Sequence, residues 1–349
     1  MIKKLKLENF RNHKNLEVEL GYTTVIIGPN GAGKSNILEA VSLISFCRSY
    51  REETKSNLIH FESDFSRVST DNFEICLIKS PVASLRAKKK GVVRKAVDFV
   101  GELPAVIFSP ESFNIVMGGP NERRRFLDMM LSETSKSYIS NLVDYNKIKK
   151  QRNHLLRNIH QGASKPSELD YWDKELAGLG NLIIKERISA IDFINPIISG
   201  LYEEISGQKN SKLEVVYQKS SPNLAEDLVH FRQKDIVTER SNFGPHRDDL
   251  LFLFNGRNMA RFSSRGEIKS ALLALKIAEL KYLEKELKKK NLDKREPILL
   301  LDDVYSEFDA DHKKHLSKLL IEYQTIITSA DNSILDEKML GDAKIIDLA

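Results

Sequence analysis

Cysteine and tryptophan are nearly missing from this chain of 349 residues, which holds two Cys, Cys47 and Cys76, and a single Trp. Neither cysteine belongs to a C-x-x-C or has a histidine beside it, which argues against a disulfide framework or a thiolate zinc site. A reducing compartment fits such a chain. Long hydrophobic runs are also missing: none approaches the ~18 residues that a membrane-spanning helix needs. The opening residues carry Lys3, Lys4 and Lys6 but no apolar core segment, so a secretion signal is not expected and a cytosolic location is. There is no internal repeat and no low-complexity segment. What is present is an ordinary share of hydrophobic residues, 41%, as in a folded globular protein. The net charge of +5 is mildly basic. It eases approach to a polyanion without defining one.

The first residues read as strands. Residues 2–10 alternate crudely, and 16–20 (LEVEL) alternate cleanly, as a half-buried strand does. Residues 23–27 are a β-branched run ending at Gly28. A helical pattern begins near Lys34, with Ile37, Leu38, Val41 and Ile44 on one face. Residues 66–108 read as further strands with a basic turn. Residues 121–159 and 167–205 read as two long helical stretches parted by the loop 161–166, with Ser167 and Asp170 suited to a helix start. Strands resume at 213–217 and 250–254. A long helix is expected over 267–290, then an unbroken apolar strand over 298–301 of the kind buried on both faces. A helix over 311–322 and a strand over 324–327 follow.

The segment Gly28-Pro29-Asn30-Gly31-Ala32-Gly33-Lys34-Ser35 matches G-x-x-x-x-G-K-[ST] between a strand and a helix. Its glycines let backbone N–H groups crowd round phosphates, and the helix N-terminus adds a favourable dipole. Lys34 is expected to neutralise the β- and γ-phosphates of ATP, and Ser35 to ligate Mg²⁺. The apolar run 298–301 delivers Asp302 and Asp303 to the C-terminal end of a buried strand, where parallel sheets bind ligands. Asp302 is expected to hold Mg²⁺ through water, and Asp303 to orient or deprotonate the attacking water. Such a division suits phosphoryl transfer, which depends on positioning and charge stabilisation.

Ser264-Arg265-Gly266-Glu267 opens a helix just before the paired acids. A Ser-x-Gly-Glu at that place resembles the signature loop of ABC ATPases, in which the serine and the helix N-terminus meet the nucleotide held by the other subunit. A plain helix cap by Ser264 is the competing reading. The order phosphate loop, signature, paired acids favours the ABC type.

Further segments resemble the RecF family over nearly the whole chain. Leu7-Glu8-Asn9-Phe10-Arg11-Asn12 is similar to the first strand of RecF and SMC-type heads. Phe108-Ser109-Pro110-Glu111, residues 124–128 (RRFLD), residues 244–249 (GPHRDD) and residues 301–309 (LDDVYSEFD) are similar to RecF segments. The resemblance implies an ATP-dependent homodimer that binds single- and double-stranded DNA at gaps, with RecR and RecO as partners in loading RecA. Four positions depart from transport ATPases. Glu267 replaces a common Gln, and Asp303 replaces Glu. No Gln follows Phe108, and Thr328 or Ser329 stands where a switch His is found. These argue against a fast, transporter-like cycle. A loop role for His246, beside Asp248 and Asp249, is preferred over a metal site.

The expected architecture is α/β: an ABC-type P-loop ATPase head, lobe I, from residues 1–112 and 291–349, with an inserted, mainly helical lobe II over 113–290 that includes the signature segment. The side to which residues 212–255 belong is open. Three basic groups are candidate DNA contacts: Lys88, Lys89, Lys90 and Arg94 with their neighbours Arg86 and Lys95; Arg123 to Arg125; and Lys288 to Lys290 with Lys294 and Arg295. No base-reading motif accompanies them, so any preference is for DNA structure. The alternatives are an SMC-like or defence-type head with another effector, a transport ATPase subunit, and a nucleotide-binding scaffold without hydrolysis.

Overall fold

The computed structural model describes residues 1–79, 83–292, 295–330 and 343–348. The chain forms two compact units. The first comprises Met1–Phe113, Gly200–Asn210 and Ser264–Ala349, and the second Asn114–Ser199 and Ser211–Ser263.

The first unit is built on two sheets. A six-stranded antiparallel sheet has the order β2 (His13–Glu19), β1 (Lys4–Phe10), β4 (Phe65–Thr70), β5 (Phe73–Ile78), β6 (Ser84–Lys89) and β7 (Val92–Arg94). A five-stranded parallel sheet has the order β14 (Lys344–Asp347), β3 (Thr23–Ile27), β13 (Thr325–Ser329), β12 (Ile298–Asp302) and β8 (Ala105–Phe108). The helix Lys34–Phe46 touches both: β1, β4 and β5 of one sheet, and β8, β12 and β13 of the other. Its sides are therefore buried nearly all round, from Ile37 to Phe46, which explains why its sequence is apolar on more than one face. The buried Glu39 of this helix receives two hydrogen bonds from Arg11, at 2.8 and 2.7 Å, and another from Ser49. A carboxylate without such partners would be costly there. Strand β12 is buried at every residue. Each of its leucines contributes ~1.5–3 kcal/mol by leaving water.

The second unit holds the helices Pro120–Thr134 and Lys136–His160 and most of Leu169–Ser206. Its antiparallel sheet has the order β11 (Arg257–Asn258), β10 (Asp249–Phe254) and β9 (Leu213–Gln218). The outer edge of β9 is not left bare. Asn195 and Ser199 of the long helix exchange hydrogen bonds with the backbone of Val215 and Leu213 at 2.8–3.0 Å, a side-chain substitute for a neighbouring strand. Arg152 is fully buried against Asp173 and Asp235 at 2.6 and 2.7 Å. Arg187 is buried against Asp128 at 2.7 Å.

Three expectations are corrected. The stretch 121–159 is two helices, because Ser135 leaves the helical region and caps the second, accepting a hydrogen bond from Tyr138 N at 3.1 Å. Ser167 lies inside a short 3-10 turn, Pro166–Glu168, with Glu168 bonded back to Lys165 N at 2.7 Å, so it does not cap the long helix. The helix Arg265–Lys289 clusters with the first unit and not with the helical insertion. Its buried residues, among them Ile268, Leu272 and Leu275, lie on an element that packs against β8. Residues 212–255 belong to the second unit.

Candidate functional site

Strand β3 ends at Ile27 and the helix begins at Lys34, with the phosphate-loop sequence between them. Gly31 and Gly33 have φ values of 87° and 100°, a region that side-chain-bearing residues rarely adopt. Gly33 has a second constraint: a Cβ there would strike Asn12 and His13. These two residues, at the β1–β2 turn, brace the loop. Asn12 Nδ2 donates to Ala32 O at 3.2 Å, and His13 Nε2 lies 3.1 Å from Gly33 O. Burial lowers the His13 pKa; the neutral ring donates this hydrogen bond. Lys34 turns back on its own loop, donating to Gly28 O at 2.6 Å and Pro29 O at 3.0 Å.

Asp302 is where the loop and the parallel strands meet. Its Oδ1 accepts from Ser35 Oγ at 2.7 Å and from Thr328 Oγ1 at 2.7 Å. Its Oδ2 accepts from Tyr50 OH at 2.7 Å. Burial, joined by the charge and hydrogen bond of Asp302, pushes the Tyr50 phenol well above its ordinary range; it remains a donor. Thr328 also accepts from the Asp303 N–H at 3.0 Å. Asp303 has φ 52° and ψ 26°, a left-handed conformation that Asp tolerates better than most residues. Ser35, Asp302 and Asp303 are thus brought to one end of the parallel sheet. A hydroxyl and a carboxylate oxygen 2.7 Å apart are hard oxygen donors of the kind Mg²⁺ prefers, so the residues fit that ion.

Ser264 and Glu267 form a capping box. Glu267 N donates to Ser264 Oγ at 3.3 Å, and Ser264 N to Glu267 Oε2 at 2.7 Å. The Glu that departs from the common Gln thus has a structural role. Ser264 and Gly266 are exposed, and among the described residues nothing beyond the helix's own neighbouring backbone stands within 4 Å of where a Gly266 Cβ would be.

Of the basic groups, Lys88 is paired with Glu74 at 2.7 Å and Lys89 with Glu102 at 2.6 Å. Arg86, Lys90, Arg94 and Lys95 are exposed around the Lys90-Gly91 turn. Arg123 forms a fork on Asp249 at 2.7 and 3.0 Å, and Arg124 donates to Asp248 O at 2.6 Å. Arg295 is bound to Glu102 at 2.8 Å; Lys294 lies outside the described residues. His246 faces Tyr145 OH at 2.6 Å and Ser241 O at 3.0 Å.

Sequence reasoning missed Tyr50, Asn12 and His13. Thr328 stands out in the sequence only as one of two residues, with Ser329, in place of a transporter's histidine. Thr328 had a usable signal, a hydroxyl at the end of a short apolar strand beside the paired acids. Tyr50 had none, being 252 residues from its partner.

A glycine-rich loop before a buried helix, a parallel sheet ending in two acids, and a capped signature helix define a P-loop protein of the ABC head type. Residues 1–343 match the family described as RecF/RecN/SMC N terminal domain. The DNA replication and repair protein RecF of Lachnoclostridium phytofermentans is 36% identical over 341 residues, covering 94% of this chain and 92% of that one. The protein of the same name from Chloroflexus aurantiacus is 35% identical, covering 94% and 93%. A solved structure described as the recombination mediator protein RecF-ATP in the RecFOR pathway superposes with TM-score 0.87 at 32% identity, covering 96% of this chain and 93% of that one. An SMC head bound to the C-terminal winged-helix domain of ScpA, at 16% identity and TM-score 0.53, is a likeness of fold alone. The chain belongs to the RecF/RecN/SMC family and, within it, to the RecF proteins.

Proposed function

We propose that this chain is an ATP-switched DNA-binding protein of recombinational repair. In this reading ATP joins two copies on DNA and slow, DNA-stimulated hydrolysis releases them. The observation that carries it is the convergence of Ser35 and Thr328 on one oxygen of Asp302, each at 2.7 Å, beside a lysine whose partners among the described residues are carbonyls of its own loop. An ammonium held by neutral carbonyls is available to an anion with more to offer. Gly28 to Ser35 cradle the phosphates. Ser35 and Asp302 hold Mg²⁺, which supplies charge neutralisation at the bridging oxygens. Asp303 positions the attacking water. The cleft of about 820 Å³ lined in part by Asn12, Asn36, Arg51 and Phe61 offers room for the nucleoside.

The open space beside Gly266 supports a role for the signature helix toward a second copy, whose nucleotide would meet Ser264 and the helix N-terminus. The first unit corresponds to the ATPase lobe and the second to the helical lobe. The exposed charges around the β6–β7 turn, with Lys88 and Lys89 beside them, are the candidate path of a DNA backbone. By kinship with proteins of the RecFOR pathway, the partners are RecR and RecO, and the outcome is RecA loading at gaps. A transport ATPase is disfavoured by a hydroxyl residue, Thr328 or Ser329, in place of the switch His, and Thr328 bonds both acids.

Light scattering with and without ATP and duplex DNA tests the reading. The expected result is a monomer that doubles in mass with ATP and stays doubled on DNA. A mass unmoved by either ligand overturns it.

A further inference from the structure

Ser270, six residues into the signature helix Arg265–Lys289, has its hydroxyl 2.8 Å from His312 Nε2. The other ring nitrogen of His312, Nδ1, lies 2.7 Å from Asp309 Oδ1. The hydrogen-bond order Ser–His–Asp is that of a nucleophilic triad. Access rules that chemistry out: Ser270 is 3% exposed and His312 6%, so no substrate reaches the hydroxyl. The chain of bonds has another use, which its place in the fold defines.

Asp309 caps the helix Ala310–Glu322, its Oδ1 also accepting from His312 N at 3.0 Å. Next to Ser270, Lys269 donates to the backbone carbonyl of Glu307 and stands 3.7 Å from its carboxylate. His312 stacks on Phe308 with centroids 5.2 Å apart, and Phe308 leans on Phe108 at the end of β8 at 5.3 Å. Residues 307–312 are therefore gripped by polar bonds from the signature helix and by aromatic packing from β8. This segment follows Asp303, which sits in a left-handed conformation with its N–H on Thr328. With Nδ1–H donated to Asp309, Nε2 accepts from Ser270, so every polar atom of the imidazole is satisfied.

We propose that Ser270, His312 and Asp309 form a latch that ties the segment 303–309 to the signature helix and so holds the Asp303 carboxylate in place for hydrolysis. The three are positioning residues. The proposal rests on the role given to Asp303 above. A base displaced by a fraction of an ångström loses rate without losing substrate affinity.

The test uses Ser270→Ala, His312→Phe, which keeps a ring on Phe308, and the double variant in the full chain. Two quantities are read: turnover against equilibrium ATP affinity, and amide hydrogen exchange by segment. The latch predicts a fall in kcat of ~10-fold or more in each variant, with ATP affinity within about twofold of the parent. The double variant should be little worse than either single one. Exchange should quicken over 303–309 and stay unchanged in β12 and in the helix Lys34–Phe46. Unchanged exchange over 303–309 overturns the proposal, and so does a loss of protection spread through the whole unit with kcat and affinity falling together. Should the parent itself not turn over ATP, the role of Asp303 fails; the exchange pattern then decides the latch by itself.

Discussion

Lys34 makes its side-chain hydrogen bonds to Gly28 O and Pro29 O, carbonyls of its own loop. Removing this buried side chain deletes those two bonds within the loop and, in the proposed role, the main cation for a bound phosphate. Lys34→Ala should therefore weaken ATP binding by ~10-fold or more, since bonds to charged groups are worth ~1.5–3 kcal/mol, while the unfolding midpoint moves little. Titration calorimetry with unchanged affinity would refute the assignment. For Asp303, Asn has the same size and tolerates φ 52° equally, but it cannot accept a proton. Asp303→Asn should bind ATP normally, turn it over ~10²-fold or more slowly, and hold dimers longer. Parental turnover would remove Asp303 from the mechanism. Lys34, Ser35 and the two acids were legible because the constraints on them are local: glycines with left-handed φ, and an apolar run ending in carboxylates. Tyr50 and Asn12 were not, because their partners come from distant parts of the chain.

Among elements, the β6–β7 hairpin illustrates how pairing alters a charge count. Lys88, Lys89 and Lys90 taken as three phosphate contacts would flatten the slope of log K against log salt by up to ~2.7 when neutralised, at ~0.9 per contact. Glu74 and Glu102 already hold the first two. Neutralising Lys90 and Arg94 should therefore have the larger effect, ~1.8, and neutralising Lys88 and Lys89 the smaller. Binding to duplex DNA over a salt series decides, and an equal, unchanged slope in both variants removes the hairpin from the DNA path. The turn at Gly244–Asp249 carries a pH dependence. Burial lowers the His246 pKa to about 3; its bond to Ser241 opposes this, and the nearby cations Lys149, Arg247 and Arg124 add to the lowering. The folded protein holds the ring neutral, with Nε2–H on Ser241 O and Nδ1 accepting from Tyr145 OH. The unfolded chain binds a proton below its ordinary value of 6.5, so this stability is present above pH ~6.5 and is lost as pH falls toward ~3. Denaturant midpoints at pH 7 and pH 5 should differ in the parent, and the difference should shrink in His246→Gln. An undiminished difference assigns the acid sensitivity to other groups.

At the scale of the whole molecule, the proposed ATP-driven dimer turns on the N-terminus of the signature helix. In this single chain the Ser264 hydroxyl caps its own helix, yet the helix N-terminus faces outward with open space at Gly266. Its N–H groups and dipole favour an anion. Ser264→Arg should bind ATP as the parent does, lose ~1 kcal/mol from the cap, and remain monomeric in sedimentation with saturating ATP. If it dimerises as well as the parent, the Ser-x-Gly-Glu is a helix cap and nothing more.

The amino-acid sequence by itself determined the phosphate loop, the strand that ends in Asp302, the capped signature helix and most element positions, because each is specified by neighbours a few residues away. It did not determine where the signature helix packs: the spacing that makes Arg265–Lys289 a helix is silent on which apolar surface will cover Ile268, Leu272 and Leu275. Nor did it reveal that two lysines of the basic hairpin are already paired, that Thr328 serves both acids, or that Ser270 reaches His312. The Thr328 contacts follow from pairing β12 with β13, the Lys88 pair from setting β5 against β6, and the Ser270 contact from packing the helix Arg265–Lys289 against the helix Ala310–Glu322. Closing loops over long separations brings together polar groups that no local pattern relates, and burial then requires them to satisfy one another.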